Sequence, residues 1–283
     1  MDALIAEGHQ VRVIDNLVNG RKEQVNQTAE FVHGDITDLS VVNAVMQGID
    51  GVFHLAALPR VPYTVEFPLE SAKVNITGTL NVFESARQHK VKRVVMSSTS
   101  AIYGNSTKDH QSPQDPIELL SPYSLQKYVG EQLAQQYSRI YNLETVCLRY
   151  FNVFGPRMDD EGGYGSVIAI FRKQQAHGKP LTIEGDGSQR RDFIFVSDVV
   201  RANLLAMQST NVGSGEVLNV GTGASMSVQA IAELFGGPIE HRPARPNDVK
   251  ETSADISVTT ATLGWTPRVS FQDGLKELLA KNV

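Results

Sequence analysis

The sequence contains one cysteine, Cys147, in 283 residues. An internal disulfide is therefore excluded, and a reducing, cytoplasmic setting is expected. No apolar run approaches the roughly 20 residues of a membrane-spanning helix. Residues 1–10 have no basic stretch leading into an apolar one. Neither a membrane anchor nor a secretory leader is expected. Positive charge is not in excess: 26 Lys and Arg stand against 31 Asp and Glu, a net charge of −5. That balance disfavours a nucleic-acid partner. Internal repeats and low-complexity tracts are also missing.

What is present is a globular composition, 41% hydrophobic and 20% charged. It suffices for one large core, or a core with a smaller lobe. Short β-rich runs fall at 11–14, 31–35, 51–55, 94–97 and 146–150. Helical spacing fills 39–46, 69–88 and 121–141 between them. Several strand runs are almost continuously apolar, as in strands covered on both faces. Strands alternating with helices predict a parallel α/β sheet. After about Pro156 the rhythm breaks, and glycines cluster at 162, 163, 165, 185 and 187. The expected division is a dinucleotide-binding domain at 1–155 and a smaller α/β substrate lobe at 156–283. Parts of 190–222 are expected to return to the main sheet.

The front of that first domain is incomplete. A dinucleotide-binding unit opens with a strand, a glycine-rich turn and a helix, and an acid about 20 residues on holds the adenosine ribose. Asp15 ends the run 11–14 and is the candidate acid, followed by a loop with Asn16, Asn19 and Gly20. Counting back, the turn falls before Met1. Residues 2–7 read as the tail of the first helix, ended by Gly8. The first strand is central in the order 3-2-1-4-5, so a gap with unpaired backbone on both sides is expected. Either the reading frame starts upstream or the chain is a truncated relative, and the intact remainder favours the former.

Tyr123-Ser124-Leu125-Gln126-Lys127 opens a helix after Pro122. Residues four apart share a helix face. A tyrosine alone is too weakly acidic to serve as a base at neutral pH, but a nearby ammonium favours its phenolate. Ser97-Ser98-Thr99-Ser100 ends a strand, where α/β sheets bind ligands.

These motifs occur in order with His54-Leu55-Ala56-Ala57, Arg149-Tyr150-Phe151-Asn152-Val153-Phe154-Gly155-Pro156, Arg190-Arg191-Asp192-Phe193-Ile194 and Arg245-Pro246-Asn247-Asp248-Val249. Together they resemble the extended short-chain dehydrogenase/reductase family, most closely its UDP-hexose 4-epimerases. The resemblance covers essentially the whole chain. It implies a Rossmann-type doubly wound parallel sheet lacking its first strand, NAD as cofactor, a UDP-sugar substrate and a homodimer built on the segments 69–88 and 121–141. It implies Tyr123 as acid/base, Lys127 on the nicotinamide ribose and Thr99 as the catalytic hydroxyl. Asp15, Asn16, Asp35, Ile36, Leu55, Ala56, Ala57, Asn75, Ser97 and Tyr150 would join Tyr123 and Lys127 around the cofactor. Asn75 reads equally well as a helix hydrogen-bonder. Asn152, Arg191, Arg245, Asp248 and Thr252 would join Thr99 around the substrate, with Asp248 orienting Arg245 or capping a turn.

Finer points follow from the same resemblance. Ser100 and Ala101 stand where dehydratases carry acids, which argues against elimination. Asn152 argues against a uronic-acid substrate. Thr252 is small where relatives carry a bulky gate beside the sugar 2-substituent, so UDP-GlcNAc is expected alongside UDP-glucose. Pro59 and Arg60 depart from the relatives' polar run. The competing readings are a nucleotide-sugar dehydratase or reductase of this fold, and a catalytically silent binding protein.

Overall fold

The structure, a computed structural model, describes residues 1–158, 166–244 and 249–280. In chain order its elements are α1 (Asp2–Ala6), β1 (Arg12–Asp15), β2 (Glu30–His33), α2 (Leu39–Met46), β3 (Gly51–His54), α3 (Val61–Glu66), α4 (Pro68–Ala72), α5 (Thr79–Gln88), β4 (Arg93–Thr99), α6 (Pro122–Tyr141) and β5 (Glu144–Tyr150). Then come β6 (Asn152–Phe154), α7 (Val167–Ala176), β7 (Leu181–Glu184), β8 (Arg190–Phe195), α8 (Val196–Gln208), β9 (Ser214–Val220), β10 (Ser225–Ser227), α9 (Val228–Phe235), β11 (Ile239–Arg242), β12 (Glu251–Thr252), α10 (Ser257–Leu263) and α11 (Phe271–Ala280). They form two compact units. The first is 1–98, 120–148 and 203–217, and the second is 99–119, 149–202 and 218–283. The division is thus interleaved rather than a single break near 155, because strands and helices distant in sequence complete each core.

The first unit carries a sheet in the order β3-β4-β5-β9 and a separate pair, β1-β2. β1 and β2 run parallel with Arg12 opposite Glu30, and β3 and β4 run parallel with Gly51 opposite Arg93. β1 and β3 have no strand bonded to their other edges among the described residues, where the sequence places its gap. The core joins Val42 and Met46 of α2, Val82, Phe83 and Ala86 of α5, Val94 and Met96 of β4, Ala134 and Tyr137 of α6, and Cys147 of β5.

The segment 69–88 is not one regular helix. A π-helical stretch, Lys73–Gly78, separates α4 from α5. It turns Asn75 inward, 1% exposed, and brings Gly78 onto Ile36, where a Cβ would meet Ile36 Cδ1 at 2.6 Å. Such insertions often mark functional positions. α6 begins with a capping box between Ser121 and Ser124 and with Pro122 at its first position, both favourable at a helix start. It then passes β4 closely at Gly130, where a Cβ would lie 2.2 Å from Met96 Cε.

The second unit is organised on β8, which pairs with β10, β12 and β6, beside the separate pair β11-β7. Its core is aromatic: Phe154, Phe171, Phe193, Phe195 and Phe235. Phe154 meets Phe195 edge-on at 5.4 Å, a favoured ring geometry. Gly274 lets α11 close on the same rings, since a Cβ there would stand 2.7 Å from Phe195.

One buried arginine ties the first unit's sheet to the C-terminal end of α8 and the chain just after it. Arg93 is 5% exposed. Its Nη1 donates to the carbonyls of Ala206 (2.7 Å), Met207 (3.0 Å) and Ser209 (2.7 Å), and its Nη2 to Val212 (2.8 Å). Its Nε donates to Glu144 at 2.8 Å. Arg93→Met would leave four carbonyls and Glu144 without their donor. A loss of about 3–5 kcal/mol is expected, measured by urea unfolding followed by circular dichroism. A loss below about 1 kcal/mol, the size of an ordinary surface pair, would contradict this role.

Candidate active site

In the first unit, β4 delivers Ser97 and α6 delivers Tyr123 and Lys127. Tyr123 lies in the first turn of α6 and is half-buried. Lys127, one turn on, is 2% exposed, and its Nζ lies 3.5 Å from Ser97 Oγ. Ser97 Oγ in turn donates to the carbonyl of His54 at 3.2 Å. Burial pulls the Lys127 ammonium down to about 8, against the opposing influence of Cys147 and Glu131. Burial, reinforced by the Lys127 charge, pushes His54 down to about 3. His54 is therefore a neutral ring near neutral pH, and its Nε2 meets Thr79 Oγ1 at 2.9 Å. Thr79 Oγ1 donates to the carbonyl of Asn75 at 2.7 Å, so the hydroxyl accepts from His54 Nε2–H. A tyrosine beside a buried ammonium on one helix face is suited to proton exchange with a hydroxyl.

The other cofactor candidates lie in the same unit with different degrees of engagement. Asp15, at the end of β1, accepts from Leu17 N–H at 2.7 Å. Gly20 packs so close that a Cβ would sit 3.0 Å from the Asp15 carboxylate. Asn16 donates to Asp35 at 2.9 Å and accepts from Val18 N–H at 3.1 Å. Burial pushes the Asp35 carboxyl up, but bonds from Thr37 and Asn16 and the Lys73 charge outweigh it and hold Asp35 low. Ile36 is a core residue, 6% exposed, and its carbonyl accepts from Asn81. Leu55 is 56% exposed, Ala56 is exposed and Ala57 half-buried, so this run presents an open apolar ledge after β3. Asn75 spends both amide hydrogens on protein, on Leu58 O at 3.1 Å and Gln126 Oε1 at 2.7 Å, and accepts from Leu58 N–H at 2.8 Å. It braces the ledge rather than offering hydrogens to a ligand.

The second unit gathers three substrate candidates around β8. Asn152 of β6 donates to the Asp192 carbonyl at 2.9 Å. Thr252 of β12 stands opposite Arg191 in the ladder. Thr252 Oγ1 is buried and has no hydrogen-bond partner among the described residues, a costly state for a hydroxyl. Tyr150, at the end of β5, is half-buried. Thr99 belongs to this unit too, and its Oγ1 accepts from Ala101 N–H at 3.2 Å. Arg245 and Asp248 lie outside the described residues.

Residues that sequence reasoning did not single out support these. Asp192, fully buried, accepts from Thr222 N–H and Oγ1, Gly223 N–H and Ala254 N–H, at 2.6–3.0 Å. Burial raises its carboxyl in spite of those bonds. It pins the residue two after Thr252. Asn219, also fully buried, accepts from Tyr103 OH at 2.6 Å and donates to Gln111 O at 2.7 Å. Only its neighbourhood to short apolar β residues could have marked it. Asp192 lay inside the quoted Arg-Asp-Phe run, and its buried role was the part that needed coordinates.

A dinucleotide fits the donor set of the first unit in part. A carboxylate closes β1, as a ribose contact requires, and Lys127 supplies a buried cation. No glycine-rich turn that would meet a pyrophosphate is among the described residues.

The chain matches the NAD dependent epimerase/dehydratase family over residues 1–221. It is similar to the UDP-glucose 4-epimerase of Thermotoga maritima solved with UDP-glucose, at 37% identity and TM-score 0.93, covering 99% of this chain and 92% of that one. It is similar to the UDP-N-acetylglucosamine 4-epimerase of Methanobrevibacter ruminantium solved with UDP-N-acetylmuramic acid, at 33% identity and TM-score 0.93, with coverage of 99% and 92%. A UDP-glucose 4-epimerase of Thermus thermophilus solved with NAD matches at 33% identity and TM-score 0.90, over 100% of this chain and 94% of that one. A parallel α/β sheet, the buried Lys127 one turn from Tyr123 and a family match from the first residue to Gly221 lead to one conclusion: the chain belongs to the NAD dependent epimerase/dehydratase family.

Proposed function

We propose that this protein is an NAD-dependent UDP-hexose 4-epimerase. The observation that carries the reading is the buried Lys127 cation one helical turn from Tyr123. Tyr123 takes the proton of the sugar 4-hydroxyl and later returns one. Lys127 favours the phenolate form of Tyr123 while it stays charged and holds the nicotinamide ribose. Thr99 shares the proton path through its hydroxyl. Asp15 orients the adenosine ribose, and Asn152 and Arg191 hold the diphosphate and sugar. A bound NAD supplies the hydride acceptor and donor for C4. Arg191 suits an anionic diphosphate because its guanidinium presents a planar fork of donors.

The substrate range extends to UDP-GlcNAc. Support comes from the short Thr252 side chain, whose buried hydroxyl has no hydrogen-bond partner among the described residues. A homodimer is also proposed. Apolar residues stand open on α3, α4, α5 and α6: Val65, Leu69, Leu80, Leu125 and Ile140, with Leu69 86% exposed. The single buried thiol, Cys147, fits a cytoplasmic location. No described helix is long and apolar enough to cross a membrane.

The test is proton NMR of the anomeric signals during incubation with UDP-glucose and UDP-GlcNAc, with bound NAD quantified. Interconversion of the C4 epimers is expected, and Tyr123→Phe should slow it at least about 100-fold. A product that has lost water or changed redox state would instead identify a dehydratase or reductase. Activity should fall as pH rises through about 8, because Lys127 is a cation below that value and neutral above it. A flat profile from pH 7 to 9.5 would contradict a role for its charge. Thr252→Tyr should cut kcat/KM for UDP-GlcNAc by about tenfold or more and that for UDP-glucose by less than about threefold. Equal losses on both sugars would remove Thr252 from the specificity argument.

A further inference from the structure

Lys127 is buried, and its Nζ reaches Ser97 Oγ only at the 3.5 Å limit of hydrogen bonding. A buried ammonium persists only with an opposite charge or strong acceptors around it. His54 on β3 faces it as a neutral ring. Cys147 on β5 faces it as a buried thiol. From α3 and α4, Tyr63 and Glu70 bond to each other at 2.8 Å near the surface. From α5, Glu84 and Arg87 pair with each other, and Glu84 accepts from Tyr137 at 3.1 Å, more than two turns further along α6. Asn75, Thr79 and Ser71, which back α6 elsewhere, are uncharged. That leaves Glu131.

Glu131 is one turn after Lys127 on α6 and is 1% exposed. Ser98 Oγ of β4 donates to its Oε1 at 2.6 Å, a short bond that fixes the carboxyl group. Ser97 and Ser98, adjacent on the strand, thus reach the two charged groups separately, Ser97 the ammonium and Ser98 the carboxylate. Gly130 lets the helix approach β4 closely enough for both contacts.

We propose that Glu131 is a positioning residue for the reaction: its buried carboxylate, fixed by Ser98, is the counter-charge that keeps Lys127 a cation beside Tyr123. The proposal rests on Tyr123 and Lys127 being the acid/base pair, and it assigns a role to the Ser98–Glu131 bond that the reaction itself does not require. The burial-driven fall of Lys127 is opposed by Cys147 and, after it, by Glu131.

The test is carbon-13 NMR of the full chain labelled at lysine Cε, with the Lys127 signal assigned from Lys127→Met. The wild-type midpoint is expected near 8. In Glu131→Gln, which keeps the shape and an acceptor for Ser98, it should fall by about one unit. At pH 7.5 that leaves about threefold fewer charged lysines. The alkaline limb of kcat should move down by the same amount, with about a threefold loss of activity at pH 7.5. Glu131→Asp, which retains the charge, should recover at least half of the midpoint shift. An unchanged Lys127 midpoint in a folded Glu131→Gln chain, or activity lowered equally at every pH, would overturn the proposal and leave Glu131 a packing residue. Should the Gln variant not fold, wild-type Glu131 labelled at Cδ decides. A carboxylate shift from pH 6 to 9 supports the role, and a carboxylic-acid shift overturns it. The Lys127 midpoint needs no turnover, so a shifted midpoint in a chain without epimerase activity would keep Glu131 as the counter-charge of Lys127 and refute the functional reading on which its positioning role rests.

Discussion

Lys127 holds its charge where charge is costly. A helix side chain 2% exposed cannot keep an ammonium solvated by water, and burial alone draws its proton affinity down toward neutrality. The arrangement around it compensates without cancelling. Ser97, Glu131 and the Cys147 thiol face it, while His54 is forced neutral and adds no competing charge. The result is a lysine close to the point of losing its proton at physiological pH. Such a group responds strongly to its neighbours, and this is the condition under which one helical turn can tune a tyrosine.

The rest of the first unit can be understood as support for that position. The Ser121–Ser124 cap and Pro122 fix where α6 begins, and therefore the depth at which Tyr123 and Lys127 sit. Gly130 removes the one Cβ that would hold α6 off Met96. Thr79 and Asn75, on the π-helical stretch and the start of α5, tie His54 and Leu58 to the helix layer. Arg93 anchors the opposite end of β4 to carbonyls at the end of α8 and just after it. Among the described residues, β1 and β3 have no strand bonded to their other edges.

Local signals in the sequence were sufficient for the first five strands, β1 to β5, but not for β6 to β12. The apolar runs at 11–14, 51–55 and 146–150 appear as β1, β3 and β5 within two residues, because a short apolar, β-branched run marks a strand without reference to its partners. The Tyr123–Lys127 spacing was legible for the same reason. The break inside 69–88 was not, since an inward-facing Asn75 reads like any polar residue until Leu58 and Gln126 are seen around it. Glu131, Asp192 and Asn219 were invisible in the same way: each is a polar residue whose burial depends on a partner 30 or more positions away. The interleaving of the two units has the same origin, in contacts of long sequence separation.

The central claim is that the Lys127 charge acts on Tyr123. The most direct measurement is the titration of Tyr123, labelled with carbon-13 at Cζ, in wild-type protein and in Lys127→Met. The account predicts a midpoint at least about one unit lower in the wild type. Coincident titrations would contradict it and leave Lys127 a residue that binds without activating.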